Sequence, residues 1–331
     1  MSEVQNSAAP VAASQRKWQL TLLFDALLLA AAIAAYYLFP SQLGLITRIF
    51  IMIMFVLSLD LVLGYAGIPT LGHAAMYGTG AYAAGLLALH VTKDPVAGLV
   101  VGAVAGAFIA VLSGAFVLRS IGLTLLMISI AVAQILQELA NKMSFITGGA
   151  DGLSLGGVNP IFGMFRFDFI GRTGYWYALV LLVLVFILLK IVVRSPFGLM
   201  ARGIHESHAR MRAIGTPVYG RLLAVYTLSG AIAGLAGAVS AHTTGLVSLE
   251  GYSFNLSAEA LTMLVLGGTG RLYGAIIGTV LFMLVHHIAS AVDPFNWLFI
   301  IGALVLGVVF FFPGGLMTLW NVLLPKKGGQ Q

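Results

Sequence analysis

Apolar residues run along this chain in long blocks separated by short polar breaks. A helix needs about 20 apolar residues to cross a hydrocarbon layer. On that measure the pattern predicts ten spans: 20–39, 44–63, 71–90, 96–118, 121–139, 175–193, 222–240, 257–270, 273–290 and 297–313. The shortest is 257–270, and the Gly-rich stretch 64–72 blurs the boundary between the second and third. The expected fold is all-α and polytopic. A tail over 1–19 precedes a transmembrane body over 20–313, and a second tail covers 314–331. The longest interruption, 140–174, holds Thr147-Gly148-Gly149-Ala150-Asp151-Gly152 and Asn159-Pro160. Those are turn residues, so a structured loop is expected there.

Composition and charge sharpen this picture. The 331 residues are 60% hydrophobic and only 8% charged, whereas a soluble domain carries about 25% charged residues. Arg16 and Lys17 precede a first run long enough to span, which reads as a retained anchor and not a cleaved signal. With the N-terminus inside, 12 of the 17 basic residues fall in inner segments. That bias supports ten spans with both termini cytoplasmic, since short Lys/Arg-rich loops stay on that side. Loop 140–174 is then periplasmic and 194–221 cytoplasmic. Residues 190–221 alone hold Lys190, Arg194, Arg202, Arg210, Arg212 and Arg221 against Glu206. The net charge of +6 is orientation charge and does not point to nucleic acid. The absence of cysteine excludes disulfides, a thiolate nucleophile and Cys-ligated metal.

Little catalytic chemistry is written here. No Gly-x-x-x-x-Gly-Lys-Ser/Thr phosphate loop occurs. His205-Glu206-Ser207-His208 has the wrong spacing for a zinc-protease helix. Asp25, Arg48, Asp60, Glu138, Glu259, His286 and His287 all fall near the ends of predicted spans, so none is expected at mid-membrane. This disfavours a proton relay and leaves open an ion-coupled or facilitated carrier acting alone. Glycines four apart (Gly98, Gly102 and Gly106; Gly230 and Gly234; Gly274 and Gly278) predict close helix packing within one subunit. Val62-Leu63-Gly64-x-x-Gly67 is echoed by Val265-Leu266-Gly267-x-x-Gly270.

The run from Leu59-Asp60-Leu61-Val62-Leu63-Gly64-Tyr65-Ala66-Gly67 through Ile68-Pro69-Thr70-Leu71-Gly72-His73 to Ala81-Tyr82 resembles the branched-chain amino acid ABC importer permeases, of the LivM type. Thr147-Gly148-Gly149 with Asp151-Gly152-Leu153, Ser195-Pro196-Phe197-Gly198, Ala233-Gly234-Leu235-Ala236-Gly237-Ala238 and Phe312-Pro313-x-Gly315-Leu316 extend the likeness over about 44–320. Asp60 stands where that family usually has Asn, and Arg271 where a small polar residue is usual. The resemblance implies a non-enzymatic permease subunit in the bacterial inner membrane. Its implied cargo is small amino acids, branched-chain ones foremost. Its implied partners are a second, LivH-type permease, two cytoplasmic ATPases that bind the ATP and Mg, and a periplasmic binding protein.

Three groups of residues follow as candidates. Ser195-Pro196 can start a helix and Gly215 can stop one. Between them Gly198, Arg202, Glu206, Arg210, Ala213 and Gly215 form a candidate segment for coupling to the ATPases. Arg202, Glu206 and Arg210, four apart, are expected on one polar face. Asp60, Gly64, Tyr65, Gly67 and His73, with Gly267, Gly268 and Gly270, are the candidate pathway or gate. Thr147, Gly148, Gly149 and Asp151 are candidates for docking the binding protein.

Overall fold

A computed structural model describes residues 9–157, 159–160, 171–294, 296–311 and 314–316, with side chains from Leu23 onward. Tail residues 1–8 and 317–331, and 161–170 of the long loop, lie outside the described residues, as do Phe312-Pro313. In chain order the helices are α1 (Ala9–Leu38), α2 (Leu43–Asp60), α3 (Ala74–His90), α4 (Pro95–Val117), α5 (Leu123–Lys142) and α6 (Ser144–Thr147). Then come α7 (Arg172–Arg194), α8 (Pro196–Glu206), α9 (His208–Ala213), α10 (Val218–Thr244), α11 (Phe254–Gly267), α12 (Leu272–Val292) and α13 (Trp297–Phe311). Strands β1 (Leu153–Ser154) and β2 (Leu246–Val247) add a two-residue antiparallel ladder to the expected all-α fold.

The hydrophobic pattern located helices well and their lengths less well. Six helices, α2, α4, α5, α7, α10 and α12, are long and apolar enough to cross a membrane; 23–38, α11 and 297–308 are shorter apolar segments. The chain is a multi-pass membrane protein. Two predicted spans are short for a physical reason: α3 has 17 residues and α11 has 14, and each starts from chain that has turned back inside the bundle. At the N-terminus α1 already begins at Ala9, inside the predicted tail.

Helix α2 is the central post. Its middle, 49–57, is apolar on every side, and Met54, Phe55, Val56 and Leu57 are wholly buried, as expected of a helical stretch without a polar face. Helices α7, α10, α11 and α12 pack around it. Helices α3, α4 and α10 form a second unit whose seam is glycine. A Cβ at Gly80 would lie 2.3 Å from Gly234 Cα, and one at Gly106 would lie 2.3 Å from the Gly230 carbonyl oxygen. The glycines four apart therefore pack within the subunit, where dispersion between backbones holds helices that lipid does not drive together.

The bundle has two distinct ends. One carries α8 and α9, and is called the basic face below. At the other, the β1–β2 ladder ties the loop after α6 to the end of α10 through the pairs Leu153–Val247 and Ser154–Leu246.

Candidate functional site

The two segments that echo each other in sequence are two breaks that meet. The first follows α2. Its last turn widens into a π-helical turn, Leu61–Tyr65, and the chain then reverses through Gly67, at φ +71°. That left-handed backbone suits glycine, which has no Cβ to clash. The chain climbs back until His73 lies beside Ser58, with Nε2 2.8 Å from the Ser58 hydroxyl and its ring stacked 5.4 Å from Phe55. Ser58 is seven residues before Tyr65, or about 10 Å along a helix. Helix α3 therefore begins deep inside the bundle.

Backbone that breaks at such depth must find partners within the protein. Ala74 N–H donates to the Ser257 hydroxyl (2.9 Å), and Leu71 N–H to the Ser129 hydroxyl (3.2 Å). Ser229 donates to the Ser58 carbonyl (2.5 Å). The sequence reading missed these serines. Their signal was a small hydroxyl inside an apolar run.

The second break, 267–270, follows α11, and the chain leading into α11 also turns back inside the bundle. After β2 a 3₁₀ turn, Leu249–Tyr252, dips inward until Tyr252 lies against Gly78, where a Cβ would come within 2.7 Å of the ring. Ser253 caps α11, accepting from Leu256 N–H (3.2 Å). Helices α3 and α11 thus start side by side, joined by the Ala74–Ser257 bond. At the far end of α11 the breaks themselves meet. Asp60 Oδ1 accepts from Gly270 N–H at 2.7 Å, and a Cβ at Gly64 would lie 2.3 Å from that same nitrogen. Gly268 and Gly270 have φ of +105° and +74°, and Gly315 packs onto Gly268.

Asp60 lies five residues before the end of the Pro40–Tyr65 span, near a span end as the sequence predicts, yet it is inside the protein. Its side chain is fully buried, and Oδ2 has no hydrogen-bond partner among the described residues. The chain returning through 66–73 and the 267–270 turn both cover it, which a count from the end of the span does not reveal.

The structure sets the basic-face helices directly beneath this junction. Ser195 caps α8, with Pro196 in the first turn, and Ser207 caps α9, accepting from Arg210 N–H (3.3 Å). Gly215, at φ +83°, ends α9 with its N–H on the Arg212 carbonyl (3.0 Å) while Thr216 N–H reaches Met211 (3.0 Å).

The single polar face expected for Arg202, Glu206 and Arg210 does not form. The chain breaks at Ser207, so Arg210 sits on a different helix, while Arg202 lies over the Tyr65 ring at 4.7 Å. Gly198 is buried against α7, where a Cβ would lie 2.5 Å from the carbonyl oxygens of Val192 and Val193. Glu206, Arg210, Ala213 and Gly215 are exposed. A Cβ at Gly67 would lie 2.4 Å from the His205 ring. So α8 touches the first break at Tyr65 and at Gly67.

On the opposite side of the same helices lies a cavity of about 420 Å³. Ile51 and Met52 of α2, Tyr77 of α3 and Leu256 of α11 give it apolar walls, and Arg48 and Glu250 bring opposite charges. Both charged residues are exposed, and neither forms an ion pair among the described residues. The sequence offered no sign that residues 48 and 250 converge. Beneath the cavity Tyr77 and Phe55 pack at 5.0 Å, then Phe55 on His73, and lower still lies the Asp60–Gly270 contact.

The candidate docking residues are mostly turned inward. Thr147 is buried, its hydroxyl donating to the carbonyls of Ala140 (2.5 Å) and Met143 (2.9 Å). Gly148, at φ +74°, caps α6, and Gly149 is buried behind it. Only Asp151 of the four is exposed. This Thr-Gly-Gly turn fastens the end of α5 and leaves little side-chain surface for a partner.

Residues 41–309 match the family described as branched-chain amino acid transport system / permease component. The high-affinity branched-chain amino acid transport system permease protein LivM of Salmonella typhimurium is 29% identical over 336 residues, covering 93% of this chain and 77% of that protein. The LivM protein of Escherichia coli K12 is 28% identical over 335 residues, with the same coverage. No solved structure matches the chain. Because the family match takes in both breaks, the basic-face helices and the cavity, the chain belongs to the branched-chain amino acid transport permease family.

Proposed function

We propose that this chain is the permease subunit of an ATP-driven importer for branched-chain amino acids, working by alternating access in a bacterial inner membrane. The observation that carries this reading is the stacking along α2. A charged and apolar cavity lies on one side of the paired breaks, and α8 presses on them from the other. The substrate α-carboxylate sits on Arg48 and its α-ammonium on Glu250, with the side chain against Ile51, Met52 and Leu256. Both termini and the α8–α9 face lie in the cytoplasm. There two ATPase subunits bind ATP and Mg and engage α8 and α9. A second, LivH-type permease completes the pathway, and a periplasmic binding protein delivers substrate to the cavity. ATP-driven movement of α8 displaces Tyr65 and Gly67, parts Asp60 from Gly270, and opens the basic face.

The test is leucine uptake into proteoliposomes holding the chain with its second permease, ATPase and binding-protein partners. Uptake is expected only with ATP and the full set of subunits. It should drop in Arg48→Gln and Glu250→Gln, which lack the two charges. ATP-independent uptake by the chain alone would instead establish a self-sufficient carrier.

A further inference from the structure

We infer that a second cavity, on the basic face, binds the phosphate of an anionic phospholipid. The cavity, of about 480 Å³, lies between the end of α7, α8 and the start of α12. Lys190, Arg194, Arg202 and Arg271 line it. Two carboxylates reach this cluster among the described residues: Asp25 of α1, which pairs with Lys190 and accepts from the Tyr273 hydroxyl (2.6 Å), and the buried Asp60, which lies near Arg202 and accepts from Gly270 N–H. Arg202 is held over Tyr65. Arg194 and Arg271 remain, both exposed and without an ion pair among the described residues. Two guanidinium groups on one cavity suit a phosphate, whose oxygens take their paired N–H donors.

The walls decide between a lipid and a soluble anion. Leu199, which lines the cavity, is 60% exposed, and Ile191, one turn before Arg194 on α7, is 63% exposed. A phospholipid can lay acyl chain on both while its headgroup takes the arginines, whereas a free phosphate uses neither. Basic pockets between membrane helices are suited to such headgroups. The bound lipid would bridge α7, α8 and the start of α12, beside Tyr65 and Gly270, which share the same cavity. It would thereby steady α8 against the paired breaks. None of this depends on which solute is transported.

The experiment is native mass spectrometry of the full-length chain taken from nanodiscs of equal phosphatidylglycerol and phosphatidylethanolamine. The wild type is expected to retain phosphatidylglycerol preferentially. Each arginine near a membrane surface is worth about fivefold in affinity, so R194Q/R271Q should bind it about 25-fold more weakly. R194K/R271K, which keeps the charge, should retain most of the binding, and an unchanged melting temperature certifies the fold of both. Equal retention of the two lipids by the wild type, or no loss in R194Q/R271Q, overturns the inference. Displacement by glycerol phosphate at matched concentration overturns the lipid assignment in favour of a soluble anion.

Discussion

Glycine serves opposite ends in two regions of this molecule. In the α3–α4–α10 seam, Gly80, Gly106, Gly230 and Gly234 lie within regular helices, and their missing side chains let three backbones touch. In the paired breaks, Gly67, Gly268 and Gly270 sit at positive φ, where the missing side chain lets the backbone leave the helix. The seam also holds a buried ionisable group, His242, whose Nε2 would lie 2.4 Å from a Cβ at Gly98. The breaks enclose Asp60, with one carboxylate oxygen bonded to Gly270 and the other without a partner. The first arrangement has one good packing. The second is packed as closely, with a Cβ at Gly64 2.3 Å from the Gly270 nitrogen, but its backbone lies outside regular helix and its contact centres on the Asp60–Gly270 hydrogen bond.

Substitutions can separate these two uses. Gly234→Leu should have the largest effect, because a Cβ there would lie 2.4 Å from the Gly102 carbonyl oxygen, with rigid helix on both sides. A loss of at least about 3 kcal/mol is expected, seen as a collapse of the monodisperse fraction in size-exclusion thermal melts. Wild-type melting would show that the seam tolerates separation. Asp60 comes next. Asp60→Ala leaves the buried Gly270 N–H without an acceptor and should cost about 1–3 kcal/mol, whereas Asp60→Asn keeps an oxygen for it and should melt near the wild type. If the two variants melt alike, the Asp60–Gly270 bond is not what joins the breaks. Arg202→Gln should move stability least, by about 0.5–1 kcal/mol for the lost contact with Tyr65. Its expected signature is a lower ratio of leucine taken up to ATP hydrolysed in the assembled complex.

Sequence patterning located the apolar helices and flagged the glycines of both breaks, since long apolar runs and clustered Gly and Pro are local signals, although the predicted span 257–270 runs through the second. It did not give depth. That α3 begins beside Ser58 depends on the return through 66–73, and no local feature of His73 announces its contact with Ser58. The direction of Arg202 was equally hidden. Spacing by fours places it with Glu206 and Arg210 only if the helix continues, and the Ser207 cap stops it. Arg48 read as one more charge near the start of a span. Its place opposite Glu250 comes from the fold, which brings together residues far apart in the chain.

Most levers between protein parts act through side chains, and rotamer changes can absorb a small push before it travels further. At Gly67 the His205 imidazole bears directly on main chain, with no Cβ between them. The imidazole itself can turn, but the main chain it meets has no rotamer to yield. A shift of α8 that keeps the imidazole in place is therefore taken up by the dihedral angles of the reversal itself.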